Sequence, residues 1–245
     1  MLAVYRKELS LFLSSLTGLL AIFIFLILLG LFLWVLPSES TGTNVLDNGF
    51  AQLDGLFSLA PWLYLFLIPA ICMRSISEEL KSGTLEFLLT KPLSARGLVL
   101  AKFMAGFTLV VISLLPTLFY VYVVYQLGNP KGNLDWGGLG GSYLGLLLLA
   151  SVFLACGIFS STFSEQQITS FLLALLICFF LYNGFDIIAQ SGFFGAADSV
   201  IKKMGISEHY ESISRGVVDF RDLIYFFSVS ALFLILTAQR LRLKR

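Results

Sequence analysis

Six long apolar stretches constrain this chain more than any other feature. They occupy residues 16–36, 56–73, 103–127, 139–163, 168–189 and 222–240. A helix crosses the hydrocarbon core of a bilayer with about 20 apolar residues. Because lipid offers the backbone no hydrogen-bond partners, such segments must be helical to span a membrane. The sequence therefore predicts an all-α polytopic membrane protein with six transmembrane helices.

Composition agrees with this prediction and excludes other classes of protein. Hydrophobic residues make up 58% of the chain and charged residues only 13%, whereas about a quarter of a soluble domain is charged. The 16 basic and 15 acidic residues nearly cancel, so no basic excess exists to neutralise nucleic-acid phosphates. We therefore expect a lipid bilayer around the protein and no nucleic-acid partner.

The distribution of lysine and arginine predicts the orientation of the six helices. An even number of spans places both termini on one side of the membrane. That side also holds the segment 74–102, and it carries eleven of the 16 basic residues. Because basic residues are retained in the cytoplasm, both termini are predicted to be cytoplasmic.

Motifs for catalysis and nucleotide binding are absent from the sequence. It contains no HExxH, GxSxG, GxGxxG or GxxxxGK[ST] pattern. The three cysteines have no CxxC spacing, and a single histidine, His209, excludes a multi-histidine metal site. His209 has Glu208, Glu211 and Ser212 nearby, but a hydrogen-bonded loop residue is favoured over a catalytic cluster. The chain is predicted to be no enzyme and to bind no cofactor or metal itself.

The predicted spans contain almost no ionisable residues. An ion-coupled carrier needs several such groups near the bilayer midplane, so this class is disfavoured. Asn183 and Asp186, near the outer end of the fifth span, are candidates for the mouth of a membrane pathway. The favoured alternative is that these two residues lie at the membrane interface, where water hydrates them.

Three glycines recur at every fourth residue at the start of the fourth span. They are Gly137, Gly141 and Gly145. This spacing puts all three on one helix face, where another helix can approach closely. Packing within the monomer is favoured over a subunit interface.

The basic segment after the second span carries the most specific pattern, RSISEELKSGTLEFLLTKPLSARGLVLAK. Ser75 and Glu78 predict a capping box, and Gly83 can end a short helix over residues 76–81 in the left-handed conformation. A second short helix is expected over residues 84–89. Short amphipathic helices at a membrane surface can dock a partner protein or lie on anionic headgroups, and spacing leaves both open.

This pattern resembles the signature of ABC-2 type transporter permeases. The matching residues are Arg74-Ser75-Ile76, Glu78-Glu79, Gly83-Thr84-Leu85-Glu86, Leu88-Leu89, Pro92-Leu93-Ser94 and Lys102. The resemblance implies that residues 74–102 form coupling helices seated in a groove of an ATP-binding subunit. It also implies an amphipathic connecting helix over residues 1–12. The implied ATPase-docking residues are Arg74, Glu78, Glu79, Gly83, Thr84, Leu85, Glu86 and Leu88.

The same resemblance assigns the nucleotide chemistry to other subunits. ATP and Mg²⁺ would be bound by a partner ATPase, itself a dimer, which would carry the ATPase activity. Residues 1–245 would form one transmembrane domain, with an outer loop over 190–221. Re-entrant helices are expected in that loop, around 192–197 and 217–219. Whether the permease pairs with itself or with another permease stays open.

Residues 209–222, HYESISRGVVDFRD, resemble the outer loop of the gliding-motility permeases of Bacteroidetes. Such permeases accompany an ATPase and a second membrane subunit with an auxiliary outer domain, in the bacterial cytoplasmic (inner) membrane. The prediction is a permease that couples ATP hydrolysis to substrate export or to force transmission, as in gliding motility. A non-transporting membrane scaffold or mechanotransmitter is the alternative, and an ion-coupled carrier fits less well.

Overall fold

The computed structural model describes residues 1–37, 42–85, 94–190, 195 and 198–243. Every regular element within these ranges is helical. Six helices are long and apolar enough to cross a membrane: Leu16–Trp34, Asp54–Lys81, Ala95–Leu127, Trp136–Ser160, Gln167–Gln190 and Phe220–Leu243. These are the first to sixth spans. The predicted all-α architecture with six transmembrane helices is confirmed.

Three of the spans are composite. The second joins Asp54–Cys72 to the short helix Ser77–Lys81, here called the loop helix. The third span is interrupted by a 3₁₀ turn at Leu115–Thr117, which separates the helices Ala95–Leu114 and Leu118–Leu127. The fifth span is interrupted by a π turn at Phe180–Gly184, which separates the helices Gln167–Phe179 and Phe185–Gln190. The 3₁₀ turn contains Pro116, which lacks the N–H that an α-helix needs.

The remaining described helices are short and lie at the two ends of the bundle. They are the N-terminal helix Leu2–Ser14, followed by Val45–Asn48, Asp198–Lys202 and Ile206–Ser214. The terminal end of the bundle carries the N-terminal helix, the loop helix and the end of the sixth span. The distal end carries the other three short helices.

A break at Ser15 separates the N-terminal helix from the first span. Ser15 is extended (φ −85°, ψ 132°), and its hydroxyl oxygen accepts a hydrogen bond from the N–H of Gly18 at 3.1 Å. A serine cap of this kind starts a new helix. The N-terminal helix therefore packs independently, and Tyr5 shares a 3.0 Å hydrogen bond with Thr108 of the third span.

The segment between the second and third spans differs from the sequence prediction in two respects. The helix of the third span begins at Ala95 and not at residue 103, because the Ser94 side chain caps it by accepting a hydrogen bond from the N–H of Gly97 at 3.1 Å. The predicted capping box is wrong, since Ile76 stands at the N-cap with no side-chain hydrogen bond. The second span continues through hydrogen-bonded turns into the loop helix, so no new helix starts at Ser75.

The core lies between the second, third and fourth spans. In their most apolar stretches 56–72% of residues are buried, against 22% in each of the first, fifth and sixth spans. Tyr64 of the second span and Phe153 of the fourth are fully buried, and Phe226 joins the sixth span to them. Because lipid is as apolar as these side chains, close packing holds the helices together.

The glycine face of the fourth span receives the helix Ile206–Ser214. A Cβ on Gly141 would lie 2.8 Å from the carbonyl oxygen of Ile213, and one on Gly145 would lie 3.3 Å from the Ile213 side chain. Gly137 lies at the helix start, where its nearest neighbour is the cap residue of its own helix. Small residues thus allow a short helix to approach the fourth span within the monomer.

Of the two expected re-entrant helices between the fifth and sixth spans, only the second can be compared with the described residues, and it is wrong. Residues 192–197 lie mostly outside the described residues. Residues 217–219 form a non-helical connection in which Val217 is 64% exposed. The element that packs against the bundle is instead Ile206–Ser214, whose buried apolar side chains are Ile206, Tyr210 and Ile213.

Candidate functional site

A buried cluster of charged side chains joins three helices at the terminal end. Lys102 of the third span lies between Glu8 of the N-terminal helix and Glu79 of the loop helix. Its Nζ donates hydrogen bonds to Glu8 Oε1 at 2.7 Å, to Glu79 Oε1 at 2.8 Å and to the carbonyl oxygen of Ser75 at 2.6 Å. An ammonium has three donors, so all three are used. These residues are called the Lys102 cluster.

Burial makes this cluster a fixed joint between the helices. The side chain of Lys102 is 1% exposed, that of Glu79 8% and that of Glu8 20%. Lys7, half exposed, lies 3.7 Å from Glu79 Oε1 and is a weaker partner. A buried charge is tolerated only when it is paired and hydrogen-bonded. Moving the loop helix away from the third span would therefore separate Glu79 from its main partner and leave Lys102 with Glu8 as its one remaining carboxylate partner in this cluster.

The loop helix and the turn after it have two distinct faces. Ile76, Ser77 and Glu79 are buried against the bundle, as is Leu85. Gly83 has φ +66°, the left-handed conformation that glycine adopts readily, and its N–H donates to the carbonyl of Leu80. The prediction that Gly83 ends the short helix is confirmed.

The predicted docking residues are divided between these faces. Three are exposed: Glu78, Gly83 and Thr84. Two are buried: Glu79 and Leu85. Arg74 is partly buried, and its Nε donates to Gln167 Oε1 at 3.2 Å, which connects the loop to the fifth span. The remaining two, Glu86 and Leu88, lie outside the described residues.

A terminal cavity of about 490 Å³ lies between the N-terminal helix and the loop. Its charged lining consists of Lys7, Glu8, Arg74, Glu78, Glu79 and Lys102. Apolar residues of the second, third and fourth spans close it from the inside. The cavity therefore borders the Lys102 cluster and also the exposed side of the loop helix at Glu78.

A distal cavity of about 610 Å³ lies at the other end of the bundle. It opens between the second, fourth and fifth spans and the helix Ile206–Ser214. Both pathway candidates, Asn183 and Asp186, line it. The Ser207 hydroxyl donates to Asp186 Oδ2, and the Tyr210 hydroxyl donates to the carbonyl of Phe57 at 2.6 Å. Burial raises the pKa of Tyr210 well above its ordinary value, so this hydroxyl remains a donor.

His209 holds the distal helix to the sixth span. Its Nδ1 lies 2.7 Å from Asp222 Oδ1, and its Nε2 lies 3.0 Å from the carbonyl oxygen of Lys203. The imidazole also stacks on Tyr225, with ring centroids 4.0 Å apart. The histidine is hydrogen-bonded, as predicted, but it lies in a helix and not in a loop.

The central role of Lys102 was not predicted from the sequence. In the sequence, Lys102 is one basic residue directly before the apolar stretch 103–127 and the last residue of the family pattern. Its carboxylate partners lie 23 and 94 residues away, so no local spacing connects them. One usable signal exists, because a lysine inside an apolar helix needs a counter-charge. Glu8 and Glu79 are acids of the predicted cytoplasmic side.

The fold defines the class to which the chain belongs: a multi-pass α-helical membrane protein whose hydrophilic loop is bound to its spans by buried charge. A family model, that of the ABC-2 family transporter proteins, matches residues 2–241. The chain therefore belongs to the ABC-2 family and is a membrane permease subunit of an ABC transporter. A comparison with curated proteins found no match. The family implies two partners, an ATP-binding subunit that carries the ATPase activity and a lipid bilayer.

Proposed function

We propose that this permease couples ATP hydrolysis in the ATP-binding subunit to export or force transmission across the membrane. The exposed face at Glu78, Gly83 and Thr84 docks that subunit. One observation carries the proposal: this face lies on the loop helix and the turn after it, and the opposite side of the loop helix is fixed in the Lys102 cluster. A displacement of the docked loop would therefore act directly on three helices.

The contacts of the loop supply a route for such a displacement. Glu79 connects it to Lys102 in the third span, and Lys102 connects to Glu8 in the N-terminal helix. Arg74 connects it to Gln167 at the start of the fifth span. Packed helices shift as rigid bodies, so the loop would move these elements together. In this scheme Glu79 acts through Lys102 and not by touching the ATP-binding subunit.

The proposed orientation places the terminal end in the cytoplasm of a bacterium, with the permease in the inner membrane. The excess of basic residues at that end supports this orientation. ATP and Mg²⁺ would be bound by a dimer of ATP-binding subunits. The first, fifth and sixth spans remain largely exposed in the described chain, which leaves faces for lipid and for a second permease chain.

Force transmission, as in gliding motility, is the more specific proposal. It is supported by the resemblance of residues 209–222 to gliding-motility permeases, which work with a second membrane subunit that has an auxiliary outer domain. In this chain the segment is braced by the His209–Asp222 contact. A braced distal surface would suit the transfer of movement to such a subunit. A scaffold that transports nothing is the alternative to export.

Docking is tested by charge reversal on the exposed face. The chain is co-expressed with a candidate ATP-binding subunit from the same genome, and recovery of the complex is measured together with its vanadate-sensitive ATPase activity in proteoliposomes. Glu78→Lys is expected to lower the affinity for that subunit about tenfold, which corresponds to about 1.4 kcal/mol. The matched control is Glu165→Lys, which reverses an exposed acid in the link between the fourth and fifth spans. Equal recovery of both variants would contradict docking through Glu78.

Transmission is tested separately from docking. Glu79→Gln keeps the shape of the side chain but removes its charge, and the complex is expected to assemble normally. Its ATPase activity should no longer respond to reconstitution in a membrane. Loss of assembly would mean that Glu79 touches the partner directly, which would overturn the proposed route. ATP-dependent movement of labelled host lipids or glycans distinguishes export from force transmission, because a mechanotransmitter hydrolyses ATP without moving them.

A further inference from the structure

The distal cavity has a lining that the coupling proposal does not use. Four carboxylates and one guanidinium line it, so the formal charge of the lining is negative. The carboxylates are those of Asp54, Asp135, Asp186 and Glu211, and the guanidinium is that of Arg215. Arg215 Nε donates to the carbonyl of Glu211 in its own helix. Asp135 caps the fourth span through the N–H of Gly138 at 3.0 Å.

Aromatic side chains form another part of the same lining. Trp62 and Tyr182 meet edge to face with ring centroids 5.8 Å apart, and both line the cavity. Phe57 and Tyr210 add two further rings. The negative faces of such rings attract organic cations. Carboxylates and aromatic rings therefore favour the same kind of ligand.

Tyr182 supplies an independent sign of a ligand site. Its side chain lines the cavity although the residue is only 8% exposed. Its hydroxyl has no hydrogen-bond partner among the described residues, whereas Tyr210 beside it is bonded to Phe57. In the same lining, Asp186 Oδ1 is buried and has no hydrogen-bond partner among the described residues, although buried polar atoms are normally satisfied. The π turn that carries Tyr182 is a feature that is frequent at functional sites.

We propose that the distal cavity binds an organic ammonium group. The cavity volume of about 610 Å³ is within the range of small-molecule sites, about 300–1,000 Å³. A metal ion fits less well, since no group of three or more His, Cys, Asp or Glu side chains in the described chain is arranged to hold one. The carboxylates are instead spread around aromatic walls, which suits a larger cation that is only partly hydrated.

The ammonium group could come from a soluble amine or from a lipid headgroup, and one experiment distinguishes these sources. The full chain with Trp34→Phe and Trp136→Phe keeps Trp62 as its only tryptophan, at the cavity wall. The protein is placed in phosphatidylglycerol nanodiscs and titrated with choline. Saturable quenching of Trp62 fluorescence is expected. Repeating the titration in phosphatidylcholine nanodiscs shows whether lipid headgroups already occupy the site before choline is added.

Variants connect the signal to the cavity. Glu211→Gln and Tyr182→Phe are each expected to weaken choline binding about tenfold, in line with the loss of one charge or dipole contact to a desolvated cation. The matched control is Glu208→Gln in the same helix, whose carboxylate pairs with Lys202 at 3.0 Å, and its affinity should equal that of the parent protein. Absence of saturable quenching in phosphatidylglycerol, or equal affinity in all variants, would overturn the proposal. The assay uses no ATP-binding subunit, so its outcome is independent of the proposed coupling.

Discussion

Lys102→Met replaces a buried ammonium by an uncharged side chain of similar length. The change removes three hydrogen bonds and leaves Glu79, whose side chain is 8% exposed, without its main partner. Breaking a buried ion pair by removing one member costs about 3–5 kcal/mol. Two features of the structure moderate this cost. Lys7 remains 3.7 Å from Glu79, and Glu8 is partly hydrated.

We therefore expect a loss of about 3 kcal/mol of unfolding free energy for Lys102→Met. Glu79→Gln leaves Lys102 bonded to Glu8 and to the Ser75 carbonyl, so its cost should be smaller, about 1–2 kcal/mol. The double variant should be less destabilised than the sum of the two. The difference defines a coupling energy of about 1–3 kcal/mol.

Reversible unfolding in mixed detergent–SDS micelles measures these free energies. A cysteine at Leu9, on the partly buried side of the N-terminal helix, reports whether that helix detaches. The native cysteines Cys72, Cys156 and Cys178 are buried, so maleimide should label the introduced thiol first. Labelling should accelerate when Lys102→Met is added to Leu9→Cys.

Lys81→Met is the matched control, since it removes an exposed lysine from the same loop helix. Its unfolding free energy should stay within about 0.5 kcal/mol of the parent protein. If Lys102→Met behaves like this control, or if its effect simply adds to that of Glu79→Gln, the cluster is not the joint described above.

Two further predictions concern packing and can be checked in the same unfolding assay. Gly141→Ala places a methyl group 2.8 Å from a backbone carbonyl and should cost about 1–3 kcal/mol. Gly140→Ala, with nothing within 4 Å, should be neutral or stabilise by up to about 1 kcal/mol. Arg240→Gln removes a guanidinium 3.6 Å from the ring centroid of Phe163 and should cost about 1 kcal/mol, whereas exposed Arg242→Gln should not. Equal stabilities within either pair would refute the corresponding contact.

The parts of the fold that were predictable are those that depend on local sequence. Hydropathy is a property of neighbouring residues, so all six spans were located from it. The glycine period likewise predicted a close-packed face at Gly141 and Gly145. The helix that fills this face lies about 70 residues further along the chain, as the Ser142–Ser214 hydrogen bond illustrates. The glycine spacing alone does not indicate that the helix Ile206–Ser214 packs there.

The candidate site was predicted only in part, because its charges are matched across long separations. The family pattern correctly directed attention to the segment that contains Glu79 and Lys102. It could not show that Glu79 faces inward, since the orientation of a short helix depends on the bundle to which it is fixed. The capping box failed for a related reason. Ser75 and Glu78 have the right spacing, but the preceding span does not end there.

The order of Glu8, Glu79 and Lys102 along the chain has a consequence for biosynthesis. Both carboxylates are made before the lysine, and Glu79 precedes it by 23 residues. At about 5–20 residues per second, the ribosome adds Lys102 roughly 1–5 s after Glu79. Both carboxylates have therefore been synthesised when the third span enters the membrane. With the reversed order, the Lys102 ammonium would have to wait for its counter-ions.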